Sequence, residues 1–308
     1  MQKLLIIGYN WPEPKTTGAG VRMMELIQAF LKYKYQITFV SAAEKTVHSE
    51  DLTKLGIQEL SVQLNNAAFD DFIKTLNPDV VLFDRFYSEE QFGWRITEHC
   101  PDAIKILDTE DLHFLRFARE KALKDTIPLN YKNSDITLRE IASIYRCDLS
   151  LIISSFEMEL LIQEFKIEDT LLYYLPFIPK PIKKESLPGF HKRNHFIFIG
   201  NYRHRPNVDA VLQLKKSIWP LISKKLPNAE LYCFGAYAGP QINQLHKPED
   251  RFHIAGWTKD AQHVFQNARV LVAPLRFGAG LKGKLMDAMQ YGTPFVTSTI
   301  GIEGLDDK

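Results

Sequence analysis

The sequence lacks features that mark secreted, membrane-spanning and zinc-binding proteins. Its three cysteines, Cys100, Cys147 and Cys233, are odd in number and scattered without CxxC spacing, which excludes a disulfide framework and a cysteine zinc site. No apolar stretch approaches the roughly 20 residues that cross a bilayer. The N-terminal run in MQKLLIIGYNWPEP is too short for a signal peptide. We therefore expect a soluble cytoplasmic protein, and peripheral contact with the inner face of a membrane stays open.

An excess of one charge is also missing. Lysine and arginine total 38 and aspartate and glutamate total 37, so the composition indicates no nucleic-acid partner. The chain has no Walker loop, no GxSxG motif and no zinc signature. We expect no metal and no resident cofactor, and any basic site must be local.

The sequence does contain a regular alternation of apolar runs and amphipathic stretches. This pattern favours parallel sheets with helices on both faces, and 308 residues give room for about two domains. We predict an α/β protein of two Rossmann-like, doubly wound domains, at 1–178 and 194–308, with a proline-rich linker at 179–193. The second domain has five recognisable strands and no closing helix, so we expect it to be incomplete at its C-terminus. The predicted strands are Leu4–Tyr9, Ile37–Ser41, Val80–Phe83, Ile104–Leu107, Leu149–Ile153, Leu171–Leu175, His195–Ile199, Leu231–Phe234, Phe252–Ile254, Val270–Ala273 and Phe295–Thr297.

The segment Val270–Gly292 (VLVAPLRFGAGLKGKLMDAMQYG) combines a strand, a glycine loop and a helix start. Such a loop presents free backbone N–H groups and the positive end of the helix dipole, which suits phosphate. Lys282 and Lys284 are unfavourable for the helix itself at that end, which indicates an anion that compensates them. Asp287 lies three residues after Lys284, so it either accepts ribose hydroxyls or forms a local ion pair.

Two further strand ends in the second half carry candidate binding residues. In FIFIGNYRHRPN, Arg203 and Arg205 lie in the turn before a helix that begins near Pro206. Their guanidinium groups suit phosphate oxygens. The alternative is a solvated basic loop. In HIAGWTKD, Trp257 either stacks on a nucleobase or packs over a helix start.

The first half contributes a glycine loop and a polar cluster. TGAGVR (Gly18, Ala19, Gly20, Arg22) fails as a dinucleotide fingerprint, and we favour a loop that closes over a ligand above a simple helix start. DTEDLHFLR follows a strand and places Asp108, Glu110 and His113 where catalytic groups collect. A bland alternative is that Asp108 and Thr109 cap a helix and that His113 is structural.

Taken in order, these motifs resemble the GT-B glycosyltransferases, specifically the retaining enzymes of family four. The resemblance covers the whole chain and is sharpest in FIGNYRHRPNVDAV, HIAGWTKD and APLRFGAGLKGKLMDAMQYGTPFVTSTIGIEG. It implies that the second domain binds a nucleotide diphosphate sugar and that basic groups neutralise the diphosphate in place of a metal. It also implies front-face attack by the acceptor hydroxyl with retention and no side-chain nucleophile, and His113 falls where the family has an active-site histidine. The implied diphosphate ligands are Arg203, Arg205, Lys282, Lys284 and the amides of Gly278, Gly280 and Leu281, with Asp287 at the ribose.

The sequence departs from the family pattern at three points. Asp287 stands where the family usually has glutamate, Ala279 replaces a glutamate eight residues upstream, and the C-terminal helix that returns to the first domain is absent. We expect transfer of a sugar to an acceptor hydroxyl on a sugar, lipid-linked sugar or glycan, in bacterial glycan or glycoconjugate synthesis, with turnover by this chain an open question. The alternatives are a sugar-nucleotide epimerase of similar fold and a non-catalytic nucleotide-sugar-binding module. The oligomeric state is not readable from the sequence.

Overall fold

A computed structural model describes residues 2–178 and 187–305, which form two parallel sheets flanked by helices. The predicted fold class is confirmed. Residues 179–186, most of the predicted linker, lie outside the described residues. The elements before them are β1 (Lys3–Gly8), α1 (Gly18–Lys32), β2 (Gln36–Ser41), β3 (Gln58–Ser61), α2 (Ala68–Leu76), β4 (Val80–Asp84), α3 (Arg85–His99), β5 (Ile104–Asp108), α4 (His113–Asp125), α5 (Asp135–Arg146), β6 (Leu149–Ile152), α6 (Ser155–Phe165) and β7 (Leu172–Tyr174).

The second domain has the same architecture with fewer strands. Its elements are β8 (Asn194–Ile199), α7 (Arg205–Gln213), α8 (Trp219–Lys225), β9 (Leu231–Phe234), α9 (Pro240–Asn243), β10 (Phe252–Gly256), α10 (Ala261–Asn267), β11 (Ala268–Ala273), α11 (Gly283–Gln290), β12 (Phe295–Thr297) and α12 (Thr299–Ile302). A π-helical turn, Leu214–Ile218, joins α7 to α8.

The strand orders place a switch point in each sheet. The first sheet runs β3-β2-β1-β4-β5-β6-β7 and the second β10-β9-β8-β11-β12, with parallel pairing throughout both. The order reverses next to β1 in the first sheet and next to β8 in the second. Ligands bind outside the carboxyl ends of the strands at such points, so each domain offers one binding crevice.

Apolar strands explain why both sheets are buried. Leu5, Ile7, Val81 and Phe83 line one face of the first sheet, and Leu4, Ile6 and Leu82 line the other, all fully buried. The sequence analysis missed β3, because Gln58–Ser61 is a polar edge strand without an apolar alternation.

Arg193, at the end of the predicted linker, is buried in the second domain. Its guanidinium donates to the carbonyls of Pro188, Phe265, Ala268 and Tyr291 and to the hydroxyl of Thr293. Phe265 lies in α10, Ala268 starts β11, and Tyr291 and Thr293 follow α11, so Arg193 holds these segments together.

We predict that Arg193→Ala lowers the free energy of unfolding by about 2–3 kcal/mol, because buried carbonyl groups lose their donor. Urea denaturation of the full chain measures this. Lys192→Ala, at the exposed neighbouring position, should change stability by no more than about 0.5 kcal/mol. Equal stability of the two variants would contradict the structural role of Arg193.

Candidate active site between the two sheets

A cleft of about 810 Å³ lies between the two domains, and residues after β1, β4, β5, β8 and β11 line it. Most of the sequence-predicted site residues meet there, from both domains. Those in the lining are Gly18, Ala19, Gly20, Glu110, His113, Arg203, Trp257, Gly278, Leu281, Lys282, Lys284 and Asp287. Arg22, Asp108, Arg205 and Gly280 are outside the lining.

The glycine loop before α11 packs against the first domain. The Gly280 N–H donates to Glu157 Oε1 at 2.7 Å, and a Cβ atom at Gly280 would lie 2.8 Å from the Cβ of Asp111. Its φ of +65° is the left-handed conformation that glycine tolerates. The expected phosphate donor at this position is therefore corrected: the amide is already bound to a carboxylate.

Lys282 and Lys284 have different surroundings although both face the cleft. Lys282 folds back, and its Nζ donates to the Gly280 carbonyl at 2.6 Å. Lys284 Nζ donates to Asn207 Oδ1 at 2.6 Å and lies 4.3 Å above the ring of Phe198. Burial, and after it the charge of Lys282, lowers the pKa of Lys284 to about 7. Neither partner of Lys284 is an anion, so its charge is uncompensated by the groups that bind it.

Asp287 lies in the same helix, but the ion pair with Lys284 that the spacing allowed is not formed. Burial, and then the charge of Glu25 across the cleft, raises the pKa of Asp287 to about 6. The Asp287 carboxylate and the Lys284 amine therefore do not neutralise each other, although they lie in the same helix.

Arg203 and Arg205, near the start of α7, have different partners. The guanidinium of Arg203 lies 3.6 Å above the ring of Tyr237, inside the cleft. Arg205 pairs with Glu120 of the first domain at 2.8 Å, so its predicted place in the diphosphate site is corrected to an interdomain ion pair. His204, between them, lines the cleft, and burial followed by the charge of Arg116 lowers its pKa.

The first glycine loop starts helix α1. The Thr17 side chain accepts a hydrogen bond from the Gly20 N–H, as an N-cap does, so the simple helix-start alternative describes its local geometry. Gly18 nevertheless lies opposite the start of α11, since a Cβ on Gly283 would be 3.8 Å from the Gly18 Cα. The two helix starts therefore lie close together, and both border the cleft.

Arg22 and Asp108 form a buried ion pair. Arg22 Nε donates to both carboxylate oxygens of Asp108, at 2.8 and 3.0 Å, and its NH1 donates to the Leu175 carbonyl at 2.6 Å. Both side chains are almost inaccessible to solvent. This pair joins α1, β5 and the end of β7, which corrects the expectation that these two residues contact a substrate.

Helix α4, which carries His113, starts later than the predicted cap at Asp108 and Thr109. Its N-cap is Leu112, which has no capping side chain. Glu140 of α5 accepts from the N–H groups of His113 and Phe114, at 3.0 and 2.8 Å, and Glu157 of α6 accepts from that of Leu112 at 3.0 Å. Carboxylates from other helices thus satisfy the first amides of α4, where negative charge also suits the dipole.

The imidazole of His113 is fixed from several sides. Its Nδ1 lies 3.0 Å from the Asp111 carbonyl and 3.5 Å from Glu140 Oε1, and the rings of Phe86 and Tyr87 contact it edge-on. In the tautomer that donates from Nδ1, Nε2 carries a lone pair and is the nitrogen left for a ligand in the cleft.

Glu110 occupies a strained position at the end of β5. Its φ is +62°, which is costly for a non-glycine residue, and Arg85 at the end of β4 has a φ of +68°. Burial, and then the charge of Asp108, raises the pKa of Glu110 to about 8. Its Oε1 is buried without a hydrogen-bond partner. A neutral carboxyl group at neutral pH can donate a hydrogen bond as well as accept one.

Contacts between the domains close the cleft at its ends. Arg119 of α4 donates to both carboxylate oxygens of Glu303, at 2.7 Å each, and to the Gly278 carbonyl at 2.8 Å. Trp257 Nε1 donates to the Lys15 carbonyl at 3.1 Å, and its ring lies 4.7 Å from that of His48. Trp257 thus contacts the first domain.

The sequence analysis missed Glu13, Glu140, Glu157 and Tyr237. The three glutamates act on another segment of the chain, and nothing in the local pattern shows this. Tyr237 had a usable signal, because it follows β9 in a glycine-containing turn, as residues of the cleft lining follow their own strands. In the described ranges no helix is long and apolar enough to cross a bilayer. Among the same residues no group of three His, Cys, Asp or Glu side chains is arranged to hold a metal ion.

Two Rossmann-like domains that face each other across a cleft at their carboxyl strand ends define the GT-B fold of glycosyltransferases. Residues 193–307 match the family model described as "Glycosyl transferases group 1". The whole chain is similar in fold to sucrose-phosphate synthase from Thermosynechococcus elongatus, with a TM-score of 0.66 and 12% identity over 98% of this chain and 82% of that one.

Two solved complexes share the fold as well. HepE from Anabaena, in complex with UDP and glucose, has a TM-score of 0.67 and 10% identity over 98% of this chain and 82% of its own. TarM from S. aureus, as a variant in complex with fondaparinux, alpha-GlcNAc-glycerol and UDP, has a TM-score of 0.70 and 10% identity, covering 98% and 87%. No curated protein sequence matches the chain.

We predict that the stability difference between Asp287→Asn and the unmodified chain grows with pH. The folded-state pKa of about 6 is above the ordinary value of 3.8, so ionisation of Asp287 is disfavoured in the folded state. The stability of the unmodified chain therefore falls between about pH 4 and pH 6, whereas the asparagine variant lacks this loss. The Tm difference at pH 4 and at pH 7.5 measures the effect, with Asp102→Asn, an exposed site, as control. A pH-independent difference would contradict it.

Proposed function

We propose that this protein is a glycosyltransferase that moves a sugar from a nucleotide diphosphate sugar to an acceptor hydroxyl. The observation that carries the proposal is Lys284, a partly buried amine in the cleft whose contacts are an amide and an aromatic ring and whose pKa is lowered to about 7. It faces the cleft beside Arg203, in the segment that matches the group 1 family. A desolvated cation of this kind is expected to bind an anion.

The donor diphosphate is assigned to Arg203, Lys284 and the start of α11. Negative charge develops on the diphosphate as the bond to the sugar breaks, and fixed cations in a cleft of low polarity stabilise that charge strongly. We propose that these side chains do this without a metal ion. Lys282 is hydrogen-bonded to the Gly280 carbonyl, and we assign to it a longer-range electrostatic attraction for the diphosphate.

Asp287 is assigned to the ribose of the nucleotide. It lies one helical turn after Lys284, and a carboxylate can accept hydrogen bonds from two hydroxyl groups. UDP is the first nucleotide to test, because the HepE and TarM complexes contain it. Trp257 is assigned to the base side of the cleft, with one ring face already against His48.

The first domain supplies the acceptor side. We assign to His113 Nε2 and to the Glu110 carboxyl contacts with the transferred sugar or the acceptor hydroxyl, since both line the cleft. The loop Gly18–Gly20 lies opposite α11 and bounds the same space. Arg85 and Glu110 also line the cleft, and both have a strained backbone conformation.

We propose that the transfer retains the configuration of the sugar. The bond from the anomeric carbon to the diphosphate oxygen breaks with its electron pair on the diphosphate. The acceptor oxygen then bonds to the same face of that carbon, and its proton passes to the departing phosphate oxygen. We further propose that the protein works in the cytoplasm, in bacterial glycan or glycoconjugate synthesis.

A nucleotide-sugar-binding module without turnover is the second candidate. Ala279 lines the cleft where the resembled family has a glutamate, so this loop offers the sugar no carboxylate. Such a module would bind the donor with the same cations and release no product. A sugar-nucleotide epimerase would instead convert the donor without an acceptor.

The proposal is tested by thermal shift of the full chain with UDP, UDP-glucose, UDP-N-acetylglucosamine and GDP-mannose, followed by assays of product. We expect at least one of them to raise Tm, and Lys284→Met and Asp287→Asn to remove the shift. Lys259→Met, at an exposed position outside the cleft, should keep it. Nucleotide release that depends on an added acceptor supports transfer. A changed sugar without acceptor indicates the epimerase, binding without products indicates the module, and no shift at all contradicts the assigned site.

We also predict that UDP binding at pH 8 takes up close to one proton. With a pKa of about 7, Lys284 is mostly neutral at pH 8 in the free protein. A bound diphosphate favours the ammonium form and raises the pKa towards its ordinary value of 10.5. Calorimetric titration in two buffers of different ionisation enthalpy measures the uptake. It should fall by about one proton in Lys284→Arg, because arginine is charged before and after it binds the diphosphate, and an unchanged uptake in that variant would exclude Lys284 as its source.

A further inference from the structure

A hydrogen-bonded network crosses the cleft at the end opposite Arg119. We call it the clasp and define it as Glu13 and Thr46 of the first domain with Tyr237 and Arg203 of the second. The Tyr237 hydroxyl donates to Glu13, with its oxygen 2.9 Å from both carboxylate oxygens. Thr46 Oγ1 donates to Glu13 Oε1 at 2.6 Å. The clasp therefore fixes a second-domain side chain on a first-domain carboxylate.

Glu13 is a strong acceptor in this network. The residue is 8% exposed. Burial opposes ionisation, but hydrogen bonds from Thr16, Thr46 and Tyr237 keep the pKa of Glu13 below its usual value. An ionised carboxylate accepts hydrogen bonds more strongly than a neutral one, and the Tyr237 hydroxyl is within reach of both of its oxygens.

Tyr237 connects this carboxylate to Arg203. Its backbone has a φ of +62°, a strained conformation for a tyrosine, which is kept where the surroundings determine it. The guanidinium carbon of Arg203 lies 3.6 Å above the Tyr237 ring. The Glu13 carboxylate also acts on Arg203 through its charge, since the charge of Arg203 contributes to the lowered pKa of Glu13. Hydrogen bonding of a phenol to a carboxylate increases the electron density of its ring, which strengthens attraction of a cation over the ring face.

We propose that Tyr237 is a positioning residue for Arg203 and that Glu13 of the first domain holds it in place. The inference rests on the proposed function, in which Arg203 binds the donor diphosphate. The donor site then depends on the approach of the two domains, because the ring that orients its arginine is fixed only when Glu13 is within reach. Tyr237 acts through Arg203 and need not touch the nucleotide.

The first experiment uses no nucleotide. The Nε–H signal of Arg203 is followed by two-dimensional NMR of the full chain and assigned with Arg203→Lys. A group above an aromatic ring experiences an upfield ring-current shift, which we expect in the unmodified protein. Tyr237→Ala should remove it, and Tyr237→Phe, which keeps the ring but loses the Glu13 hydrogen bond, should reduce it by half or more. A full shift in Tyr237→Phe would overturn the role of Glu13.

The second experiment measures UDP affinity by calorimetry in a double-mutant cycle. A cation–π contact of roughly 0.5–1 kcal/mol corresponds to about two- to fivefold in Kd, so we expect Tyr237→Phe to weaken UDP binding by about that factor. In an Arg203→Met background the same substitution should change Kd by less than twofold. Additive effects would overturn the proposal, because a purely structural tyrosine would act equally in both backgrounds.

Tyr232→Phe is the matched control. Tyr232 also donates its hydroxyl to a carboxylate, that of Glu230 at 3.1 Å, in the same domain but outside the cleft lining. It should leave both the Arg203 signal and the UDP affinity unchanged. If the unmodified protein shows the ring-current shift but binds no nucleotide, the proposed function fails while the positioning of Arg203 stands. If UDP binds and the shift is absent, only the positioning fails.

Discussion

The carboxylate of Glu157 is the contact on which the arrangement of this cleft depends. One oxygen accepts hydrogen bonds from two backbone amides, that of Leu112 in the first domain and that of Gly280 in the second. The bond to the Leu112 amide fixes where α4 starts and therefore where His113 lies. The bond to the Gly280 amide fixes the loop before α11 and therefore the position of Lys284 in that helix. Burial, and then the charge of Asp111, raises the pKa of Glu157 to about 8, and its other oxygen has no partner. This cost is tolerated because one side chain aligns parts of the site from both domains.

Charge is distributed differently over the two walls of the cleft. In the first domain, Arg22 with Asp108 and Arg116 with Asp111 are paired, so their charges hold the scaffold together. In the second domain, Lys284 and Arg203 lie against an amide and an aromatic ring. Paired charges give little net attraction for a ligand, whereas a cation without an anion attracts one strongly. The second wall is thus suited to a charged ligand and the first to hydroxyl groups.

Much of the fold could be predicted from the sequence, because buried parallel strands are short apolar runs and the helices between them have their own period. The same logic placed His113, Glu110, Arg203, Lys284 and Asp287 in one cleft, since each follows or lies near the end of a strand. The hydrogen bonds and ion pairs between residues far apart in the sequence could not be predicted. Glu140 and Glu157 lie in amphipathic helices and resemble surface residues until the tertiary structure shows which amides they cap. The Arg22–Asp108 pair and the Arg205–Glu120 pair depend on the packing of distant segments for the same reason.

The strained residues of the cleft set a limit on how far this protein can be stabilised. Arg85 and Glu110 have positive φ angles and line the cleft, and Tyr237, which also has a positive φ, lies against Arg203 of that lining. Lys34, Asn77 and Lys166 have comparable angles outside its lining. Glycine at the second set relieves strain without touching the site, whereas glycine at the first removes the side chains that shape it. At the left-handed positions outside the cleft, a substitution can therefore raise heat resistance without changing ligand binding. At the left-handed positions of the cleft, the same kind of substitution would raise heat resistance at the expense of binding.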